Sequence, residues 1–127
     1  MKEGATLEKI DKEKLLKKEI KSFKGIFKQK NKNEESGMSK EQLILINKLC
    51  ERAGFMSATL QELEQIINDE GAVELFEQGS QKITREHPAA KTYNIMIKNY
   101  NATVKLLSNF APNEDVKDEL LGFIEQK

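Results

Sequence analysis

The stretch from Ser39 to Gly71 constrains this chain more than any other. It contains no proline and reads as one continuous helix with more apolar surface than a single partner can cover. Ser39 followed three residues later by Gln42 is a capping-box pattern, in which each residue's side chain satisfies the other's backbone N–H. Gly71 is a natural left-handed stop. The span between them predicts a rod of about 45 Å at about 1.5 Å per residue. Leu43, Ile46, Cys50, Ala53, Leu60 and Ile67 make one apolar stripe, and Leu45, Leu49, Met56, Leu63 and Ile66 make a second beside it. Either two other helices of the same chain take one stripe each, or a neighbouring protomer takes one of them. Gly54 costs about 1 kcal/mol in a helix interior relative to Ala. It therefore marks a kink between Gly54 and Ser57 or a close approach of another backbone.

The next helix is announced by His87-Pro88, because proline at a first helical position loses no needed N–H and arrives with its φ preset. Tyr93, Ile97, Tyr100, Val104 and Leu107 follow at spacings of four and three, with Met96, Leu106 and Phe110 expected to widen that stripe. Asn94, Lys98, Asn99, Asn101 and Lys105 fall on the other side. Between the two helices, residues 72–86 alternate around Gln78-Gly79-Ser80-Gln81 through Val73, Leu75, Ile83 and Arg85. That pattern reads as a short β-hairpin with Gly79 at positive φ. A lone hairpin is marginal in water and should pack on the helices or on another subunit.

The N-terminal third differs in charge. Residues 1–32 hold eleven lysines against five acids, whereas the remainder holds ten basic residues against sixteen acidic ones, for a total of zero. From about Leu7 to Gln29, Leu15, Leu16, Ile20, Phe23, Ile26 and Phe27 gather on one side of a helix at 100° per residue. Lys14, Lys17, Lys18, Lys21, Lys24 and Lys28 gather on the other. Such a face is either a solvated surface or one that displaces counterions from a polyanion. Lysine positions a phosphate backbone rather than reading bases, and Arg52 and Arg85 are the only arginines. Phe23 and Phe27 lie on the apolar side, which argues against base stacking. Residues 30–38 read as a connector containing Gly37.

After Pro112 the tail places Glu114, Asp115, Asp118 and Glu119 early, where the helix dipole favours acids, and Leu120, Leu121, Phe123 and Ile124 late. It reads as a last core helix, a frayed end or an apolar docking peptide. The sequence thus predicts a mainly α fold. A basic N-terminal helix with its linker occupies 1–38. A long helix and a C-terminal helix form an antiparallel hairpin over 39–112, with the small β-hairpin between them, and a tail helix occupies 113–127.

The parts of an active site are missing from the pattern. His87, the only histidine, sits at a helix start and suits capping better than general-base work. Cys50, the only cysteine, lies on an apolar helix face, so no internal disulfide framework exists and a reducing compartment is expected. No Cys/His cluster offers zinc ligands and no glycine precedes Lys-Ser or Lys-Thr as in a P-loop. We therefore expect no enzyme, no cofactor, no metal and no membrane partner, since no run of eighteen apolar residues occurs. The Lys-rich N-terminus has no apolar core of the secretory kind, which points to a cytoplasmic protein.

The combination HPAAKTYNIMIKNYNATVKLLSNF, preceded by a long helix ending INDEG and by a short hairpin, resembles the C-terminal half of phage terminase small subunits. The likeness is greatest to short forms from phages of low-GC Gram-positive bacteria and covers roughly residues 40–112. It implies a non-enzymatic, ring-forming homo-oligomeric adaptor in the host cell cytoplasm. Such an adaptor holds phage double-stranded DNA at the start of packaging and regulates a large terminase subunit. On that reading Lys14, Lys17, Lys18, Lys21, Lys24 and Lys28 face DNA. Leu49, Met56, Leu63, Tyr93, Ile97, Tyr100 and Val104 serve oligomerisation, and Leu120, Leu121, Phe123 and Ile124 meet the large subunit. Unlike many small terminases, the chain shows no clear helix-turn-helix in its N-terminal third. The alternative is a helical protein-interaction module of phage origin without DNA binding.

Overall fold

The computed structural model describes the backbone of residues 2–31, 38–79 and 81–124. Residues 1, 32–37, 80 and 125–127 lie outside the described residues, as do the side chains of 2–10, 28–31, 76–78 and 83. Of the connector expected over 30–38, residues 30 and 31 belong to the first helix. Four helices and one hairpin follow in order: α1 (Lys2–Asn31), α2 (Lys40–Glu70), β1 (Val73–Gln78), β2 (Gln81–Glu86), α3 (Pro88–Asn109) and α4 (Glu114–Leu121). The mainly helical architecture with a two-stranded sheet between α2 and α3 is the one the sequence predicts.

α2 begins as its capping box dictates. The Gln42 N–H donates to Ser39 Oγ at 3.1 Å, and the Ser39 N–H donates to Gln42 Oε1 at 2.9 Å. At its far end Gly71 adopts φ 86° and ψ 158°. The positive φ is as expected, but the extended ψ lies outside the left-handed helical region and turns the chain directly into β1, a conformation only glycine takes without strain. Between these ends α2 is unbroken. Of the two readings of Gly54, the close approach is the one observed: a Cβ there would lie 2.6 Å from the backbone N and Cα of Ile20. The two helices therefore cross with their backbones nearly touching.

That crossing brings α1 onto one side of α2, while α3 runs along the other and α4 closes the bundle against α3 and α1. Their shared core holds Phe23, Ile26 and Phe27 from α1 and Ile46, Cys50, Ala53 and Leu60 from α2. It is completed by Tyr100, Val104 and Leu107 from α3 and by Val116 and Leu120 from α4. Phe23 sits at its centre, edge-on to Tyr100 at 6.4 Å and against Phe123 at 5.2 Å. Tertiary burial here draws on all three of the segments separated at the sequence level.

Two expectations about covered faces are corrected. Leu106 does not widen the buried stripe of α3. It lies about 160° from Val104 around the helix and is 43% exposed. The second stripe of α2 is covered only in part, because Leu49 and Met56 pack against the core whereas Leu45 remains exposed.

The hairpin pairs Val73 with Glu86 through Gln78 with Gln81, turning at Gly79 with φ 63°. Its strands pack chiefly on each other, with the Asn94 side chain of α3 donating to Glu86 of β2 at 3.1 Å, and Val73 and Leu75 are exposed. At its base the His87 N–H donates to the Ala72 carbonyl at 2.8 Å. The His87 ring accepts the Ala89 N–H through Nδ1 at 3.0 Å and meets Glu70 through Nε2 at 2.9 Å. A nitrogen that accepts carries no proton, so the neutral ring donates to Glu70 through Nε2. One histidine thereby caps α3 and ties its start to the end of α2.

Replacing Gly54 by Ala gains about 1 kcal/mol of helix propensity but forces a methyl group against the Ile20 backbone. We expect a net loss of about 1–3 kcal/mol from overpacking, read as a lower urea midpoint. Burial pushes the Cys50 thiol from 9.0 up to about 12. It should resist thiol reagents in the native state and react only as fast as the protein unfolds. Because burial favours the neutral thiol, its contribution to stability is complete below pH 9 and is lost as the pH rises toward 12. Burial raises Tyr100 and Tyr93 in the same direction. The melting temperature should therefore hold steady through neutral pH and fall in alkali.

Candidate nucleic-acid interface

The apolar residues of α1 decide where its lysines point. With Phe23, Ile26 and Phe27 sealed in the core and Leu15, Leu16 and Ile20 half-buried, the opposite side of the helix faces solvent. Lys14, Lys17, Lys18 and Lys21 are all exposed, and among the described residues no ion pair engages them. Lys24 is different: its Nζ lies 2.9 Å from Glu51 Oε2 on α2. The hydrogen bond and charge of Lys24 hold the Glu51 carboxyl below its usual range. Both partners are solvated, so phosphate oxygens compete with Glu51 for that ammonium on nearly equal terms. Lys28 belongs to α1, and its side chain lies outside the described residues.

The same wall borders an open groove of about 760 Å³. Lys17, Lys21, Lys24 and Gly25 form one side, Leu43 and Asn47 of α2 the other, with Ile20, Phe27 and Ile46 between them. Farther along α1, Lys12 pairs with Glu62 at 2.9 Å, and Glu19 accepts from the Ser57 hydroxyl at 2.6 Å. Acidic groups of the α1–α2 seam thus fasten the helices together, while the unpaired positive charge lies outward. Chemically this surface can bind an extended polyanion through ammonium contacts. It presents no arginine fork and no exposed aromatic ring for reading bases.

The residues assigned to oligomerisation are used mainly within the chain. Val104 is completely buried and Tyr100 nearly so, while Leu49, Met56, Tyr93 and Ile97 pack half-buried against the core and Leu63 is half-buried. The Tyr93 hydroxyl donates to Glu64 at 2.9 Å, which together with burial raises its pKa. Val104 therefore has no surface to offer a second chain. The tail behaves likewise: Leu120 is fully buried, Phe123 and Ile124 pack on the core, and Leu121 is half-buried. Of the three readings of the tail, the last core helix is the one observed over Glu114–Leu121, capped by the Asn113 side chain on the Val116 N–H at 3.0 Å.

Sequence reasoning missed what remains outside. Ile95, Leu106 and Phe55 are 58%, 43% and 53% exposed. α3 also carries Lys91, Lys98 and Lys105 at seven-residue intervals with no acid on the helix. For Ile95 and Leu106 the signal was present in the 3.6-residue period, since both fall away from the Val104 face, on the side expected of Lys98 and Lys105; Phe55 lies on α2. Among the described residues no three His, Cys, Asp or Glu side chains gather as a metal would need, and no helix is long and apolar enough to cross a membrane. Comparison with protein-family models, with curated proteins and with solved structures returns no match.

Proposed function

We propose that this protein is a non-enzymatic, DNA-binding oligomeric adaptor of the phage terminase small subunit kind. It would act in the host cytoplasm to engage phage double-stranded DNA for packaging and to regulate a large motor subunit. The observation that carries the reading is the row Lys14, Lys17, Lys18 and Lys21, exposed and without counter-charge among the described residues. Lysines held on a rigid helix by a packed opposite face release counterions when phosphate replaces them. A single row binds weakly, and repetition around a ring of subunits multiplies weak contacts through effective concentration. The hairpin supports assembly as well, because Val73 and Leu75 are exposed among the described residues and a neighbouring copy would cover them. With Leu120 buried, contact with the large subunit would fall to the outer side of α4, where Glu114, Asp115, Asp118 and Glu119 are exposed.

The second reading, a helical interaction module without DNA binding, draws on the groove beside Lys17 and Lys21. Its apolar lining of Ile20, Phe27, Leu43 and Ile46 suits an acidic amphipathic helix better than a sugar-phosphate backbone.

DNA binding measured from low to moderate salt separates the two. The adaptor reading expects the logarithm of affinity to fall steeply with that of salt, by about 0.9 per phosphate contact. Lys14, Lys17, Lys18 and Lys21 changed together to Gln should flatten that slope and leave helix content unaltered, since none of the four is buried. Salt-independent binding, or binding unaffected by the fourfold change, rejects the DNA face.

A further inference from the structure

Lys48 and Arg52 stand one helical turn apart on α2, about 6 Å along its axis. Both are exposed, and among the described residues neither belongs to an ion pair. They border an open groove of about 610 Å³ between α2 and α3, whose far wall is Asn99, Ala102 and Thr103. One acid, Glu51, lies at the groove, and its carboxylate is held 2.9 Å from the Lys24 ammonium of α1. With that charge met from α1, the groove keeps the positive charge of Lys48 and Arg52. Phe55 lines the same wall and is 53% exposed. It follows Arg52 by three residues, a spacing at which helical side chains are neighbours. Among the described residues no other aromatic side chain is exposed. Cation and ring thus share one wall, and an amide and a hydroxyl face them from the other.

We infer that the groove between α2 and α3 binds single-stranded DNA, with Lys48 and Arg52 on its phosphates and a base stacked on Phe55. Cations alone suit any polyanion. The ring narrows the occupant, because an exposed aromatic beside a positive groove is the arrangement on which unpaired bases stack. In a duplex each base face is already covered by its neighbours, so a surface ring gains nothing from it. Acidic side chains would satisfy the cations and leave the ring without a partner face. Arg52 adds what the lysines of α1 lack, a planar fork that can take two phosphate oxygens at once. Across the groove the Asn99 amide and the Thr103 hydroxyl can each donate and accept, so the edge of any base finds a partner. The site is therefore tolerant of sequence. It is separate from the α1 lysine row, and only the choice of DNA over RNA rests on the reading above.

Titration of the full chain with oligo(dT) tests this. The chain contains no tryptophan, so Phe55→Trp installs a single reporter in the groove, and its emission should be quenched as oligo(dT) is added. Phe55→Ala should weaken oligo(dT) binding at least about fivefold while duplex binding stays unchanged. Lys48→Gln together with Arg52→Gln should flatten the salt dependence of oligo(dT) binding by about 0.7 per lost phosphate contact. All three side chains are exposed, so the circular dichroism of the helices should be preserved. An unquenched tryptophan, or oligo(dT) binding indifferent to Phe55→Ala, overturns the inference. Polyglutamate that competes on equal terms, or oligo(U) bound more tightly than oligo(dT), overturns the choice of ligand. Duplex binding reads the α1 row separately: its absence with quenching by oligo(dT) intact rejects the duplex face and leaves this groove standing.

Discussion

The contact on which the rest of the bundle depends is the crossing of α1 over α2 at Gly54. Because no side chain separates the helices there, the Ile20 backbone comes close enough that a single added methyl would collide with it. This close approach has consequences at both ends of α1. Toward its C-terminus, Phe23, Ile26 and Phe27 reach past α2 to Tyr100 of α3 and Phe123 beyond α4. Outward, the helix has no freedom to roll. A helix whose apolar side is locked presents a fixed opposite side, and the lysine row is as rigid as the core behind it. A glycine that costs helix propensity thus offsets that cost through the packing it permits.

A second constraint operates where α2 passes into α3. The chain reverses through a hairpin whose described contacts with the helices lie at its base, where Asn94 of α3 donates to Glu86, so the geometry of the junction is set there. Gly71 turns the chain out, the His87–Ala72 backbone bond closes the loop, and the His87 ring joins Glu70 to the first turn of α3. These interactions are local and nearly independent of the core. They keep α2 and α3 in register while the hairpin projects with Val73 and Leu75 exposed.

Much of this was legible in the chain because it is written in local chemistry. Ser39 with Gln42, Gly71, Gly79 and His87-Pro88 each act on backbone groups within a few residues, so the ends of α2 and α3 and the turn of the hairpin follow from the residues themselves. The apolar faces are another matter. A period of 3.6 residues says which side of a helix is buried and not what buries it. Tyr93, Ile97, Tyr100 and Val104 could therefore be assigned to a neighbouring subunit when Tyr100 and Val104 in fact close the chain's own core. Leu120 and Phe123 show the same ambiguity, since an apolar patch on a terminal helix looks alike whether it docks on a partner or folds back onto Phe23. Leu106 was misplaced for a different reason: it neighbours Leu107 in sequence but points away from the core, and apolarity was allowed to outweigh angle.

The division of charge gains meaning from this arrangement. Residues 1–32 are strongly basic and the rest of the chain balances them with acid, yet the ion pairs described between α1 and α2 engage Lys24 and Lys12, through Glu51 and Glu62. Neutralisation in the sum is not neutralisation in space. Had the acids of α2 been placed opposite Lys17 and Lys21, the helices would have gained two more solvated ion pairs of small worth and given up the positive face. Instead Leu43 and Asn47 stand there, and the charge remains outward. The fold therefore separates a positively charged surface on α1 from the uncharged exposed residues Ile95 and Leu106 on α3, on different helices of one small core.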